Sequence, residues 1–246
     1  MDARHYHIGV DDTDAGASIG TGALARELQV HLLQHVGGRA DGITRHQLLI
    51  HPAIPYTSHN SSACLSVWLP ASRQDVVATC ERFVRFLFHS GADPGLCVAD
   101  HAAPSPRFVE LGRRAQSEVV AKDEALARGR DEGVHLAELG GTGLGVIGAL
   151  AACALRMSGD DGRFIQLDGI RELKGDLTVR DIQARSPVAY IEDETGVRLG
   201  PDCLVHTNGW VRPGLVNGAI VLRVTRTGDE FMIVNRKREE EEEEGA

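Results

Sequence analysis

The sequence has few aromatic residues, no cysteine pair at a metal-binding spacing and no long apolar run. Aromatic side chains make up 4% of the 246 residues, which argues against an aromatic-rich all-β sandwich and favours helices packed on a sheet. The five cysteines contain no Cys-x-x-Cys pair, so a zinc ribbon or thioredoxin-like motif is excluded. Their odd number and the polar residues 1–7 predict a cytoplasmic protein with reduced thiols. The longest apolar stretch, 140–155, is shorter than the ~20 residues of a membrane span.

A basic excess is also missing. The formal net charge is −9, and the six glutamates at 239–244 account for six of those nine charges. The remaining chain is therefore close to neutral and lacks the positive charge expected of a protein that binds nucleic acid by itself. Residues 236–246 are predicted to form a disordered acidic tail.

The hydrophobic pattern predicts an α/β (α+β) protein. A short strand near 6–10 leads through an acidic loop into a helix whose leucines share one face. A second helix, capped by Ser72, and a strand near 96–99 complete a β-α-β unit, so residues 62–100 are predicted to be a ferredoxin-like element. We further expect a strand near 47–50, a long amphipathic helix over 107–130 and a fully buried helix over 144–155. Short strands and turns predict a β-rich region over 187–235.

An acidic cluster follows the first predicted strand. Asp11, Asp12 and Asp14 place three carboxylates within four residues, and such charges repel one another unless a cation joins them. The end of a strand is a common ligand site in α/β proteins, and Mg²⁺ favours one or two carboxylates together with phosphate oxygens. The sequence therefore predicts metal binding by these three aspartates. The alternative is an acidic turn that caps the following helix.

A glycine-rich segment connects this cluster to the helix. Gly20 and Gly22 would let backbone N–H groups approach a phosphate at the helix N-terminus, where negative charge is favoured. Thr21, between them, brings a hydroxyl close to the same metal. The alternative is a flexible connection in which Thr21 caps the helix.

A second glycine run precedes the predicted buried helix. Gly143, Gly145 and Gly148 match the G-x-G-x-x-G pattern, and Asp168 lies twenty residues further on, as in dinucleotide-binding proteins. The preceding residues 135–139 make a poor buried strand, however, and the rest of the chain does not alternate strands and helices. We therefore expect a phosphate cradle or a close helix-packing contact, and an NAD-dependent oxidoreductase remains an alternative.

The loop 51–61 combines hydroxyl groups, Asn60 and two histidines with two prolines. A rigid polar loop of this kind suits contact with a substrate or nucleotide. The alternative is an ordinary crossover loop.

Three ordered motifs together resemble a known family. They are Val10-Asp11-Asp12-Thr13-Asp14 with its spacing to Thr21, the loop His51-Pro-Ala-Ile-Pro-Tyr-Thr57, and Gly145-Val-Ile-Gly-Ala-Leu-Ala-Ala152. These residues are similar to motifs of the archaeal agmatinylcytidine synthases (TiaS), which use ATP to attach agmatine to a cytidine of an isoleucine tRNA. The resemblance covers about residues 5–170.

The resemblance implies a kinase-like α/β domain over 1–61 and 101–186, combined with the ferredoxin-like element. In that family the aspartates hold Mg²⁺ and the phosphates of ATP, and a nearby threonine, matching Thr21, is phosphorylated. The chain departs from the family by having no room for both an OB-fold and a zinc ribbon. In addition, Tyr56-Thr57-Ser58 stands where the family usually has a lysine.

The predicted function is accordingly ATP- and Mg²⁺-dependent phosphoryl transfer. Asp11, Asp12 and Asp14 would bind the metal, the Gly20 and Gly22 backbone would hold the phosphates, and Thr21 would bind metal or accept a phosphoryl group. The turn at 143–148 would close the other side of the site. The acceptor is predicted to be a modified nucleoside or a small amine. Binding of tRNA is possible, but the near-neutral charge of the chain does not support it. A nucleotide-binding accessory subunit without turnover is the alternative.

Overall fold

The computed structural model describes residues 2–13, 20–55, 60–88, 91–100, 104–207, 209, 211–228 and 230–233. Asp14, the loop residues 56–59 and the tail 236–246, on which predictions fall, lie outside these ranges. The chain divides into two compact units, Met1–Gln166 and Leu167–Ala246. Its mixed α/β class is confirmed by six helices and twelve strands among the described residues.

The first half of the N-terminal unit has the ferredoxin-like order of elements. These are β1 (Arg4–Asp11), α1 (Thr21–His35), β2 (Arg39–Gln47), β3 (Ser61–Leu69), α2 (Arg73–Leu87) and β4 (Gly95–Asp100). β1 lies between β3 and β4 and is antiparallel to both, and β2 pairs with β3. The resulting order β4-β1-β3-β2 is the split β-α-β arrangement. Segment 62–100 therefore shares one sheet with residues 4–47.

The second half of this unit adds α3 (Pro106–Arg114), α4 (Lys122–Asp131), β5 (His135–Glu138), α5 (Gly145–Ser158) and β6 (Arg163–Gln166). β5 pairs with β4 and β6 pairs with β2, both antiparallel. The extended sheet of the unit therefore has the order β5-β4-β1-β3-β2-β6, and the C-terminal end of its inner strand β1 carries the acidic loop.

The two faces of this sheet bury different side chains because successive residues of a strand alternate between faces. Tyr6, Ile8 and Val10 belong to the core shared with α1 and α2. Cys64 and Cys97 belong to a second core with α5, which is in turn covered by side chains of α3 and α4. Sheet and helices thus enclose α5, which confirms the predicted buried helix.

Two secondary-structure predictions are wrong. The helix expected over 107–130 is two helices, because Ala115 ends α3 and Ala121 precedes α4 with an extended backbone. Val120, in the connection between α3 and α4, is buried in the same hydrophobic core as α5. The strand expected at 47–50 instead spans 39–47 as β2. Its inward-facing residues include Thr44 and His46, which are fully buried but polar, so the hydrophobic pattern did not show it.

His46, on β2, is fully buried and makes two polar contacts. Its Nδ1 lies 2.6 Å from Asp161 Oδ1 and its Nε2 lies 2.8 Å from Thr44 Oγ1. A neutral ring can donate to the carboxylate through Nδ1 and accept the hydroxyl proton at Nε2. Burial lowers the pKa of His46, against the opposing influence of Asp161.

The lowered pKa of His46 predicts a loss of stability in acid. Below its ordinary value of 6.5, the unfolded chain takes up a proton that the folded chain does not, so the free energy of unfolding falls with pH by up to roughly 1.4 kcal/mol per unit. Urea denaturation at pH 7.5, 6.5 and 5.5 measures this slope. His46→Gln should flatten the slope between pH 6.5 and 5.5, and an unchanged slope in that variant would contradict the assignment.

The C-terminal unit is β-rich, as predicted for residues 187–235. It contains β7 (Asp176–Thr178), α6 (Val179–Arg185), β8 (Tyr190–Glu192), β9 (Leu204–His206), β10 (Gly214–Val216), β11 (Ala219–Thr227) and β12 (Glu230–Ile233). Its core is separate and centres on Ile182, Ile191 and Val224. The helix α6 was not predicted, although the Thr178–Asp181 capping box marks its start. Within the described ranges of the whole chain, no helix is long and apolar enough to cross a membrane.

Candidate functional site

An open cleft lies where the inner strand β1 ends. Residues far apart in the sequence line it: the end of β1, the start of α1, the loop after β2, the connection from α3 to α4, and the start of α5. All of them belong to the N-terminal unit. We call the part lined by Asp11, Asp12 and Thr21 the polar end, and the apolar side chains among the remaining lining residues, such as Leu48, Ile54, Val120 and Ile147, the apolar wall.

Asp11 and Asp12 line the polar end. Asp11 is the last residue of β1, and its carboxylate lies against the N-terminal turn of α5, where a Cβ on Gly148 would come 1.7 Å from Oδ2. Asp12 has a left-handed backbone with φ +50°, which aspartate tolerates better than most residues. This backbone turn lets two consecutive residues both face one cleft.

Thr21 lines the same end of the cleft and is the first residue of α1. The Thr13 hydroxyl donates to Thr21 Oγ1 at 3.2 Å, and both side chains are buried. The structure thus brings Thr21 together with Asp11 and Asp12, as the sequence predicted. Their roles stay predictions.

The glycines of the second run have different positions. Gly145 and Gly148 line the cleft, while Gly143 is not among the lining residues. A Cβ on Gly145 would lie 2.1 Å from the Asp93 carbonyl oxygen, so this glycine lets α5 start in close contact with the loop before β4. Gly20 and Gly22 also do not line the cleft, although they flank Thr21. Asp14 is not described.

The helices that begin at the cleft share a property. Among the described residues, neither α1 nor α5 has a side-chain cap or an acidic residue in its first turn. Each of the other four described helices has one or the other. The first N–H groups of a helix need an acceptor and favour negative charge. Two helix ends at one cleft therefore favour an anionic ligand there.

The rest of the cleft lining comes partly from residues that sequence reasoning missed. Ala53, Ile54 and Pro55 lie in the predicted contact loop, and Asn60, also in that loop, holds its shape by donating from Nδ2 to the Leu49 carbonyl oxygen at 2.6 Å. Ser61 also belongs to that loop, and Leu144 and Ile147 belong to the predicted turn 143–148. Sequence reasoning missed four lining residues, which lie just after β2 and in the connection after α3: Leu48, Ala115, Glu118 and Val120. No sequence motif marks them, because the cleft forms only when these segments pack together.

The donor set fits Mg²⁺ better than a metal held by protein alone. No three His, Cys, Asp or Glu side chains gather as a metal site within the described ranges. Two carboxylates beside two helix N-termini suit an ion that completes its shell with phosphate oxygens and water. Asp11 and Asp12 are the described residues that would hold it.

The glycine pattern does not form a dinucleotide-binding unit. β5, before α5, is antiparallel to β4, and β6, after it, lies at the opposite side of the sheet and is antiparallel to β2. The dinucleotide fold needs parallel neighbouring strands joined by the helix. Asp168 belongs to the other unit. This geometry agrees better with a packing or phosphate-binding role for the glycine run 143–148 than with dinucleotide binding.

Comparison with solved structures gives matches to tRNA-acting proteins. A tRNA fluorescent labeling enzyme is 23% identical with a TM-score of 0.53, covering 61% of this chain and 36% of that chain. Apo TiaS, described as a tRNA agmatidine synthetase, is 22% identical with a TM-score of 0.52 over 61% of this chain and 35% of that one. TiaS in complex with its isoleucine tRNA and ATP is 22% identical with a TM-score of 0.53, over 61% and 36%.

The chain is TiaS-like in fold. The resemblance inferred from three short motifs is thereby confirmed at the level of the fold, and the chain spans about a third of the length of the TiaS proteins it matches. No family model matches the sequence, and no curated protein matches it either.

Proposed function

We propose that the cleft binds ATP with Mg²⁺ and that the chain is a phosphoryl-transfer enzyme related to the tRNA agmatinylcytidine synthases. The observation that carries the proposal is the meeting of Asp11 and Asp12 with Thr21 and the N-terminus of α5 in one cleft. TiaS has been solved in complex with tRNA and ATP, and with tRNA, AMPCPP and agmatine, which supports a nucleotide as the proposed ligand.

The charges at the polar end explain why a metal-bound polyphosphate fits. The N-termini of α1 and α5 attract phosphate oxygens, whereas the carboxylates of Asp11 and Asp12 repel them. A divalent cation between carboxylates and phosphates removes the repulsion and leaves the attraction of the helices. A free anion would be repelled by the two carboxylates, and a bare cation would be repelled by the two helix N-termini.

Thr21 is the proposed first acceptor of the phosphoryl group. Its Oγ1 would attack the γ-phosphorus while the bond from that phosphorus to the β–γ bridging oxygen breaks, and ADP would leave with the bonding electron pair. The hydroxyl proton would pass to a carboxylate of the cleft, and Mg²⁺ would stabilise the charge that develops on the leaving phosphate. The contact with Thr13 holds the Thr21 oxygen in place. The alternative role of Thr21 is coordination of the metal.

The apolar wall suits a planar ring. Leu48, Ile54, Val120 and Ile147 would contact a nucleobase, which is the adenine of ATP or the base of a nucleoside acceptor. The proposed final acceptor is a modified nucleoside, within tRNA or free, or a small amine. Because the chain lacks a basic excess, recognition of a whole tRNA would depend on additional protein surface.

The proposal predicts a labelled threonine. Incubation of the purified chain with γ-labelled ATP and Mg²⁺ should place the label on Thr21, as read by peptide mass spectrometry. Thr21→Val should lose the label because it has no hydroxyl, and Thr21→Ser should keep it. Removal of Mg²⁺ by chelation should abolish labelling, since the repulsion between carboxylates and phosphates returns.

Ser61 provides the matched control, because it lines the same cleft on β3. Ser61→Ala should label as the unsubstituted chain does. Tight ATP binding without hydrolysis or labelling would overturn the enzyme proposal and support the nucleotide-binding accessory subunit instead. Binding of NAD in place of Mg-ATP, seen as a higher melting temperature with NAD alone, would contradict both.

A further inference from the structure

The turn before α5 is built around two carboxylates that do not line the cleft. Gly141 and Gly143 have left-handed backbones with φ +57° and +75°, which glycine adopts without steric cost. A Cβ on Gly141 would lie 1.5 Å from Asp93 Oδ1, and one on Gly143 would lie 2.0 Å from Glu138 Oε2. The carboxyl groups thus occupy the space that the missing side chains leave.

Hydrogen bonds hold both the backbone N–H and the backbone carbonyl group of Thr142. Asp93 accepts hydrogen bonds from the Thr142 backbone N–H and from its hydroxyl. Lys122, the first residue of α4, donates from Nζ to the Thr142 carbonyl oxygen at 2.8 Å and to Glu138 Oε2 at 2.8 Å. The loop before β4, the end of β5 and the start of α4 are therefore all tied to one turn.

This turn determines where α5 begins. Leu144, its N-cap, comes two residues after Thr142. Gly145 packs on the backbone of Asp93 and Gly148 packs on the carboxylate of Asp11. A rotation of the turn would consequently move the first N–H groups of α5 relative to Asp11.

We infer that Asp93 and Lys122 are positioning residues for the phosphate-binding end of the cleft, because they hold the turn from which α5 starts. The inference rests on the proposed function. Asp93, Lys122 and Thr142 are all absent from the lining of the cleft, so they act through the turn and not by contact with the ligand. Their influence should fall on the phosphates, which the helix N-terminus would contact, and not on the nucleobase, which the apolar wall would contact.

The inference predicts selective loss of polyphosphate binding. In the full chain, Lys122→Met should weaken binding of Mg-ATP and of inorganic triphosphate about tenfold, as is typical when a supporting contact of a site is removed. Binding of adenosine should stay within about twofold. Lys122→Arg, which keeps a cationic donor, should recover most of the loss, and Asp93→Asn should act in the same direction as Lys122→Met. Displacement of a fluorescent ATP analogue measures all three ligands.

Thr142 gives a milder test should Lys122→Met fail to fold. Thr142→Val removes only the hydroxyl bond to Asp93, and Thr142→Ser retains it, so weaker triphosphate binding in the valine variant alone supports the inference. Equal weakening of adenosine and ATP, or unchanged ATP binding in Lys122→Met and Thr142→Val, overturns it while leaving the proposed function intact. An unsubstituted chain that binds no Mg-ATP overturns the proposed function and this inference with it.

Discussion

Asp12→Asn is expected to lower Mg²⁺-dependent ATP turnover on the order of 100-fold or more, since metal-based charge stabilisation is worth several kcal/mol. The substitution removes a charge and keeps the shape of the side chain. Asparagine also adopts the left-handed backbone that this position has, so folding should be preserved. Initial rates of phosphate release from ATP, measured over a range of Mg²⁺ concentrations, provide the test.

The Mg²⁺ dependence separates a metal ligand from a structural aspartate. If Asp12 binds the metal, Asp12→Asn should raise the Mg²⁺ concentration needed for half-maximal rate, and its melting temperature without ATP should hardly change. Asp202→Asn is a suitable control. The exposed Asp202 carboxylate accepts a hydrogen bond from Arg180, and both residues belong to the C-terminal unit, outside the cleft. Turnover in Asp12→Asn equal to that of the unsubstituted chain would rule out the metal role of this residue.

Gly9→Ala is expected to destabilise the N-terminal unit by about 3 kcal/mol, at the upper end of overpacking substitutions. A Cβ at this position would lie 2.0 Å from the Ala149 carbonyl oxygen and 3.0 Å from Cys153 Sγ. Neither the strand β1 nor the buried helix α5 can move without disturbing the core. The melting temperature of the unit should therefore fall by roughly 6–12 °C, as measured by circular dichroism.

Gly200→Ala is the matched control for this substitution. Its Cβ would approach only Cys203 Sγ, at an ordinary 3.9 Å, so its effect should stay within about 0.5 kcal/mol. A melting temperature for Gly9→Ala as high as that of Gly200→Ala would show that α5 does not pack closely on β1.

Sequence reasoning located the polar end of the cleft because its residues are close together in the chain. Asp11, Asp12 and Thr21 follow one strand and begin one helix, and local rules cover that distance. The start of the second helix, α2, could be predicted in the same way. Its predicted cap, Ser72, accepts a hydrogen bond from the Asp75 backbone N–H. The resemblance to TiaS also depended on short contiguous motifs, and the fold confirmed it.

The lining residues Leu48, Ala115, Glu118 and Val120 could not be predicted, since they join the cleft only through tertiary packing. Glu118 and Val120 lay inside what looked like one long amphipathic helix, and the apolar stripe gave no sign of the break after Arg114. The polar inner face of β2 concealed that strand for a related reason. Its buried His46 is compensated by Asp161, which lies 115 residues away in sequence, and no local pattern records such a partner.

The two ends of the cleft are anchored differently. Asp11 ends β1 and Asp12 follows it directly, and β1 has a hydrogen-bonded neighbour on each side. Ala53, Ile54 and Pro55, by contrast, belong to a loop outside the strands. Substitutions in that loop can therefore reshape the apolar wall without shifting the carboxylates. A scaffold of this kind would allow one proposed acceptor to be exchanged for another while the proposed phosphoryl transfer at the end of β1 stays the same.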